Sequence, residues 1–213
     1  MKIFLTSFCS LFFLAVTFNG IAQQRVIAEC TIEYKVSAIN SQDADLQATL
    51  QSTTQTVYLK GNNSRVDLIS PAFKQTTFFD KSTGQAVILR EFGNNKFISK
   101  LNNNDWLAAN KNFENATVSL TDEVKKVLGY DCKKAVLKLN DGSSLTIYYV
   151  PTLTPSVKEY QYQFKDIPGL VLDYETTDEK QNTVHYTAIK ISFNPVPAQT
   201  FSIPPTAGYR LLN

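Results

Sequence analysis

The chain has 213 residues, 43% of them hydrophobic and 19% charged, with a formal net charge of +2. So small a charge, with no basic stripe, argues against a nucleic-acid partner. One histidine and three cysteines without a CxxC pair leave no zinc set or thioredoxin-type site.

Met1 and Lys2 make a short positive start, and 3–16 is a run interrupted only by Thr6, Ser7, Cys9 and Ser10. These are the n-region and h-region of a secretory signal peptide. The run is shorter than the roughly 20 apolar residues a spanning helix needs, and it gives way to Phe18-Asn19-Gly20-Ile21-Ala22-Gln23. Small residues at Gly20 and Ala22 place the cut between Ala22 and Gln23. Gln23, not cysteine, follows the cut, so no lipid anchor and no transmembrane segment is expected after processing. Domains are therefore expected at 1–22, the leader, and 23–213, one β-rich unit with a Pro-rich tail at 194–213. The expected address is the periplasm, with secretion as the alternative. Processing removes Cys9 and leaves Cys30 and Cys132 in an oxidising compartment. Either they are bonded, closing a loop worth about 4 to 5 kcal/mol in chain entropy, or they are two thiols packed as small hydrophobes.

Beyond the leader, period-two alternation dominates and points to half-buried antiparallel strands. Strands are expected at 30–37, 54–60, 64–70, 74–80, 85–92, 96–101, 135–140, 144–150, 160–164, 170–175 and 185–193. In Tyr160-Gln161-Tyr162-Gln163-Phe164 the rings share one face and the glutamines the other. Between the runs lie Gly61-Asn62-Asn63, Ser82-Thr83-Gly84, Gly93-Asn94-Asn95, Asn140-Asp141-Gly142 and the stretch 178–182, residues that tolerate tight-turn geometry. Strand and short turn repeated in this way give a meander, and a long antiparallel sheet curls, leaving one face concave. A helix is expected at 105–115, capped by Asp105, with Trp106, Ala109 and Phe113 on one face. The stretch 43–48 suits a second short helix, and 121–128 suits either a helical turn or more sheet. Four prolines in 194–205 favour an extended tail over the surface or an edge.

Catalytic signals are sparse. His185 opens a late strand without a nucleophile motif, and Asp173 and Glu175 fit the solvated face of a strand. No calcium loop, phosphate-cradling glycine loop or metal set is present, and no cofactor is expected. Aromatics are plentiful, so a curled sheet with a docked helix offers a cleft for an acyl chain or an apolar peptide.

Gly129-Tyr130-Asp131-Cys132-Lys133-Lys134-Ala135, then 137–142 and 145–149, resemble the exported GLPGLI-type proteins of Gram-negative bacteria. The stretch Asp166-Ile167-Pro168-Gly169-Leu170-Val171-Leu172 is similar to their signature, and 58–66 to an early hairpin of the group. The resemblance implies a lipoprotein-carrier (LolA-like) fold, an unclosed barrel with an apolar inner face, and carries over no catalytic residue. The expected class is thus mainly β, a curved antiparallel sheet with one or two short helices packed on it. The expected function is non-enzymatic binding of an apolar ligand such as a lipid, acyl chain or lipoprotein. Its ligand face would comprise Trp106, Phe113, Tyr148, Tyr162, Phe164, Leu170 and Leu172. A module that recruits an envelope protein through sheet edges is the alternative, and an enzyme the third.

Overall fold

The structure, a computed structural model, describes residues 24–39, 41–177 and 183–212. The expected leader with its Ala22–Gln23 cut and the expected turn at 178–182 lie outside the described residues. After a short strand β1 (Arg25–Ile27) come β2 (Glu29–Ile39), helix α1 (Ala44–Gln51), β3 (Thr54–Lys60), β4 (Asn63–Ile69), β5 (Phe73–Asp80), β6 (Gln85–Phe92) and β7 (Asn95–Leu101). Helix α2 (Asn103–Ala109) leads to β8 (Thr117–Val127), β9 (Tyr130–Lys138), β10 (Ser144–Val150), the short β11 (Leu153–Pro155), β12 (Leu170–Thr177), β13 (Thr183–Ser192) and a two-residue β14 (Arg210–Leu211).

Twelve of these strands form one open sheet, in the order β14-β7-β6-β5-β4-β3-β2-β13-β12-β10-β9-β8, while β1 and β11 pair in parallel beside it. Sequence neighbours are sheet neighbours in two meanders, β2 to β7 and β8 to β10, as short turns dictate. The second meander continues into β12 and β13, and the two are joined by the antiparallel β2–β13 ladder. The sheet is mostly β, curved and not closed into a barrel.

Alternation decides the inner face. On β2, Cys30, Ile32, Tyr34 and Val36 are all fully buried while their neighbours are not, and β3 contributes Val57 and Leu59. Each such side chain adds about 1.5–3 kcal/mol of hydrophobic stabilisation. Where the meanders meet, Tyr186 of β13 stacks on Tyr174 of β12 at 4.5 Å, and Tyr34 meets Tyr174 edge-on at 6.0 Å. The Tyr34 hydroxyl donates to the Val171 carbonyl at 2.7 Å.

Several local features correct or sharpen the sequence reading. The stretch 160–164 is not a strand. It forms two 3-10 turns, Lys158–Tyr160 and Tyr162–Phe164, joined through an extended Gln161. β10 pairs directly with β12, so this connection has no ladder to join. It folds into the concavity as a plug, with Val157, Tyr160, Tyr162, Phe164 and Ile167 buried. The helix begins earlier than expected. Asn102 is the cap, its Oδ1 accepting from the N–H groups of Asn104 and Asp105, and the Asp105 carboxylate accepts the Asn102 N–H in return. A 3-10 turn, Lys111–Phe113, follows it. The stretch 121–128 is sheet: β8 runs to Val127, bulged between Leu120 and Val124, and turns through Leu128 and Gly129. The tail crosses the sheet with a 3-10 turn, Ala198–Phe201, tied by Arg65 to the Thr200 carbonyl, and ends as β14 on the β7 edge. The expected helix near 43 is α1, capped by the Asp43 carboxylate.

A cleft between the sheet and its plug

The β7-to-β8 connection has to carry the chain from one end of the sheet to the other, and α2 lies on it, against β6 and β7. Trp106 is therefore pressed inward, 8% exposed, stacked on Phe79 at 5.4 Å and perpendicular to Tyr162 at 6.3 Å. Between α2, the plug and the inner faces of β3, β4 and β5 remains a cavity of about 190 Å³. Its lining combines the rings of Trp106, Tyr160 and Tyr162 with the amides of Gln55, Gln75, Asn110, Gln161 and Gln163, plus Val66, Leu68 and Thr77. No charged side chain lines it.

The amides are held in place from behind. The Gln55 amide and the Tyr174 hydroxyl are hydrogen-bonded at 2.9 Å, and the same hydroxyl reaches Gln161 Oε1 at 3.1 Å. Gln163 Nε2 donates to Gln161 Oε1 at 3.0 Å, and Arg90 Nε donates to Gln75 Oε1 at 2.9 Å. Burial pushes the Tyr174 phenol well above its ordinary pKa, so it stays a neutral donor. Among the described residues, three lining residues carry a buried donor with no partner: the indole N–H of Trp106, the hydroxyl of Tyr160 and the Nε2 amide of Gln161. Leaving a buried donor unmade costs about 1–3 kcal/mol.

A larger cavity of about 240 Å³ sits at the β5–β6 hairpin under Phe201 and Ile203. Its carboxylate, Asp80, is already used by the turn, accepting from the Ser82 N–H and hydroxyl and from Thr83.

Of the expected ligand-face residues, the structure brings Trp106 and Tyr162 to the cleft. Phe113 packs half-buried on the core beside it, and Phe164, Leu170 and Leu172 are buried in the core. Tyr148 is elsewhere. Its hydroxyl donates to Glu123 and its ring lies 5.0 Å under the Lys125 ammonium, on the opposite face of the sheet. The strand register explains this: Tyr148 sits opposite Asp173, and Ile147, its neighbour, opposite Tyr174 of the core. The sequence reading passed over the glutamines. Their alternation with Tyr160, Tyr162 and Phe164 was the available signal, and it looks like the wet side of a strand.

On that outer face Asp173 is 1% exposed, not solvated as expected. Its Oδ2 takes bonds from Lys125 Nζ at 2.9 Å, Thr187 Oγ1 at 2.8 Å and His185 Nε2 at 2.9 Å. Burial raises the Asp173 pKa, but the bonds from His185, Lys125 and Thr187 outweigh it and hold the carboxyl below its ordinary value. His185 uses one ring nitrogen toward both Asp173 and Thr187, at 2.9 and 3.1 Å. A nucleophile relay needs the acid on one nitrogen and the hydroxyl on the other. Cys30 and Cys132 are two buried free thiols, the unbridged arrangement of the two left open by the sequence. Burial pushes Cys30 up to about 12 and Cys132 up to about 11.

Among known families, the model described as N-glycanase peptide, N-terminal domain, matches residues 32–199. The chain belongs to this family. Of solved structures, PNGF-II superposes with a TM-score of 0.50 at 14% identity, covering 87% of this chain and 31% of that one. The chain thus spans about a third of the PNGF-II chain, and the likeness is one of fold. An uncharacterised conserved protein from Thermus thermophilus gives a TM-score of 0.49 at 10% identity, covering 87% of this chain and 90% of that one. A LolA superfamily protein from Nitrosomonas europaea gives 0.36 at 14% identity, covering 83% and 91%. The family model that matches is the N-glycanase N-terminal domain and not the GLPGLI group that the sequence resembles. No curated protein matches the sequence. Among the described residues no helix is long and apolar enough to cross a membrane.

Proposed function

We propose that this domain is a non-enzymatic, exported binding module that holds a small ligand in the cleft between the sheet and its plug. The observation that carries this reading is the set of three buried, unpartnered donors on residues of a wall of rings and fixed amides. Rings and amides held in place by the surrounding fold are the mark of a pre-formed site. Export follows from the leader-like N-terminus, and the periplasm is the compartment that fits it. The apolar or lipid ligand suggested by the sequence fits the rings but leaves the Gln161 Nε2, the Tyr160 hydroxyl and the indole N–H without partners. Within a family named for an N-glycanase, such a module has a natural role in holding part of that enzyme's substrate.

Native mass spectrometry of the chain purified gently from the exporting cell tests the reading, with a bound small molecule at up to one per chain expected. A bare chain in every preparation, together with a stoichiometric protein partner, would turn the conclusion to a second reading. That reading is a docking module, favoured by β8, an eleven-residue strand at the end of the sheet with Leu120 and Val124 more than half exposed. Such an edge can accept an added strand, although its bulge and lysines oppose it. Crosslinking in envelope fractions through cysteines placed on β8 identifies that partner.

A further inference from the structure

The lining of the cleft narrows the chemistry of the ligand. A charged ligand would find no Lys, Arg, His, Asp or Glu on the wall to neutralise it, and burying an unpaired charge is far more costly than burying a polar neutral group. A purely apolar ligand would keep the Trp106 N–H and the Gln161 amide unpaired. The ligand must therefore be neutral, carry acceptors for these donors and for the equally unpartnered Tyr160 hydroxyl, and present an apolar face to the rings of Trp106 and Tyr162, which stand at 83° to each other and form a corner. The remaining polar wall is amide apart from Thr77 and the tyrosine hydroxyls, and each amide both donates and accepts. A hydroxyl group does the same, so a wall of five amides suits a ligand dense in hydroxyls. The volume, about 190 Å³, corresponds to roughly six waters. That is room for one small ring and not for a long acyl chain.

We infer that the cleft is a subsite for one neutral pyranose ring, its C–H face on Trp106 and Tyr162 and its hydroxyls on Gln161, Gln163, Gln75 and Asn110. This inference rests on the binding reading of the cleft. The ring has two sources, a free oligosaccharide or a glycan still attached to a peptide, and the chemistry at the cleft is the same for both.

Trp106 is the chain's single tryptophan, so intrinsic emission reports on the cleft alone. The exported full chain is titrated with mannobiose, N,N′-diacetylchitobiose, an asparagine-linked high-mannose glycopeptide, sialyllactose and laurate. Saturable change in Trp106 emission with a neutral saccharide is expected, with no response to laurate. Gln161→Leu should weaken that response at least about tenfold, while circular dichroism shows the sheet retained although the Tyr174 hydroxyl loses one acceptor. Should Gln161→Leu fail to fold, Trp106→Phe, which keeps the ring and removes the N–H, is titrated calorimetrically and should show a loss of similar size. Response to the glycopeptide but not to the free saccharides places the attached glycan as the source, and the reverse places the free one. Response to laurate alone overturns the saccharide inference and leaves the binding module standing. Saturable response to sialyllactose but to no neutral sugar also overturns it. Silence toward every probe overturns both.

Discussion

Replacing Gly169 by alanine isolates a single close approach in the fold. Gly169 immediately precedes β12 beside the end of β10, and a Cβ built there falls 2.3 Å from the Val150 carbonyl oxygen and 2.6 Å from Tyr149 Cδ2. The first of these is backbone, so β12 has to retreat by about 1 Å to restore ordinary contact, against the Val150–Leu170 pairing that fixes it. Forcing such an overpacked position costs about 1–3 kcal/mol, and occasionally more. Alanine also stiffens the unfolded chain, which offsets about 0.4–1 kcal/mol. With backbone as the obstacle the upper end applies, for a net loss of about 2 kcal/mol. For a domain of this size that is a fall in midpoint of about 4–8 °C. Urea unfolding followed by Trp106 emission and by circular dichroism measures the change, with an unaltered slope expected. A Gly169→Ala chain as stable as the parent would mean that β10 and β12 do not approach this closely, and the cross-strand reasoning would be wrong.

Three further outcomes are expected. Leu128 holds φ at +51° in the β8–β9 turn beside Gly129 and is 41% exposed; Leu128→Asn should raise stability by about 1 kcal/mol in a urea titration, because asparagine tolerates that backbone and little burial is lost. Asp173→Ala strands His185 and Thr187 and should lose about 2–4 kcal/mol at pH 7. Since the folded carboxyl lies below its ordinary pKa, its contribution is present above the unfolded value and lost as pH falls through the folded one. The gap between parent and variant in unfolding free energy should therefore close in acid, below the usual carboxylate range. Finally, Cys30 and Cys132, buried and raised to about 12 and about 11, should resist a thiol reagent at pH 8 in the native protein and both react in guanidinium. One protected pair that stays unreactive after unfolding without reductant would show a bridge instead.

How far the sequence discloses this fold varies with what each segment packs against. On β2 the buried set Cys30, Ile32, Tyr34 and Val36 alternates cleanly with polar neighbours, because one side of that strand faces the core and the other faces water. On β8 the same reading is ambiguous, since only Val127 of the strand is buried and an edge writes little hydrophobic pattern into its residues. Tyr160, Tyr162 and Phe164 are all buried as the alternation implies, yet an extended plug and a strand share that period. What separates them is whether a neighbouring strand exists to pair with, which is a property of the whole topology. The start of α2 slipped for a related reason: Asn102 and Asp105 are both good capping residues, and here they cap each other's backbone. The cleft was half legible. Its rings stand out in the composition, whereas its glutamines are marked only by the donors that the folded chain leaves open.

The β2–β13 ladder has a consequence for how the molecule is made. It pairs Thr31 with Ser192 and Ile39 with Thr183, so the strand that seals β2 is made long after β2 itself. Until then β2 can pair with β3 alone, and its other side, eleven residues of strong strand sequence, is an open template. Closing so long a loop is slow, because its entropy must be met before any contact across the seam forms. Newly made chains therefore pass through a state in which the β13 of one copy can complete the β2 of another, and the join between the meanders is where swapped dimers and aggregates should begin.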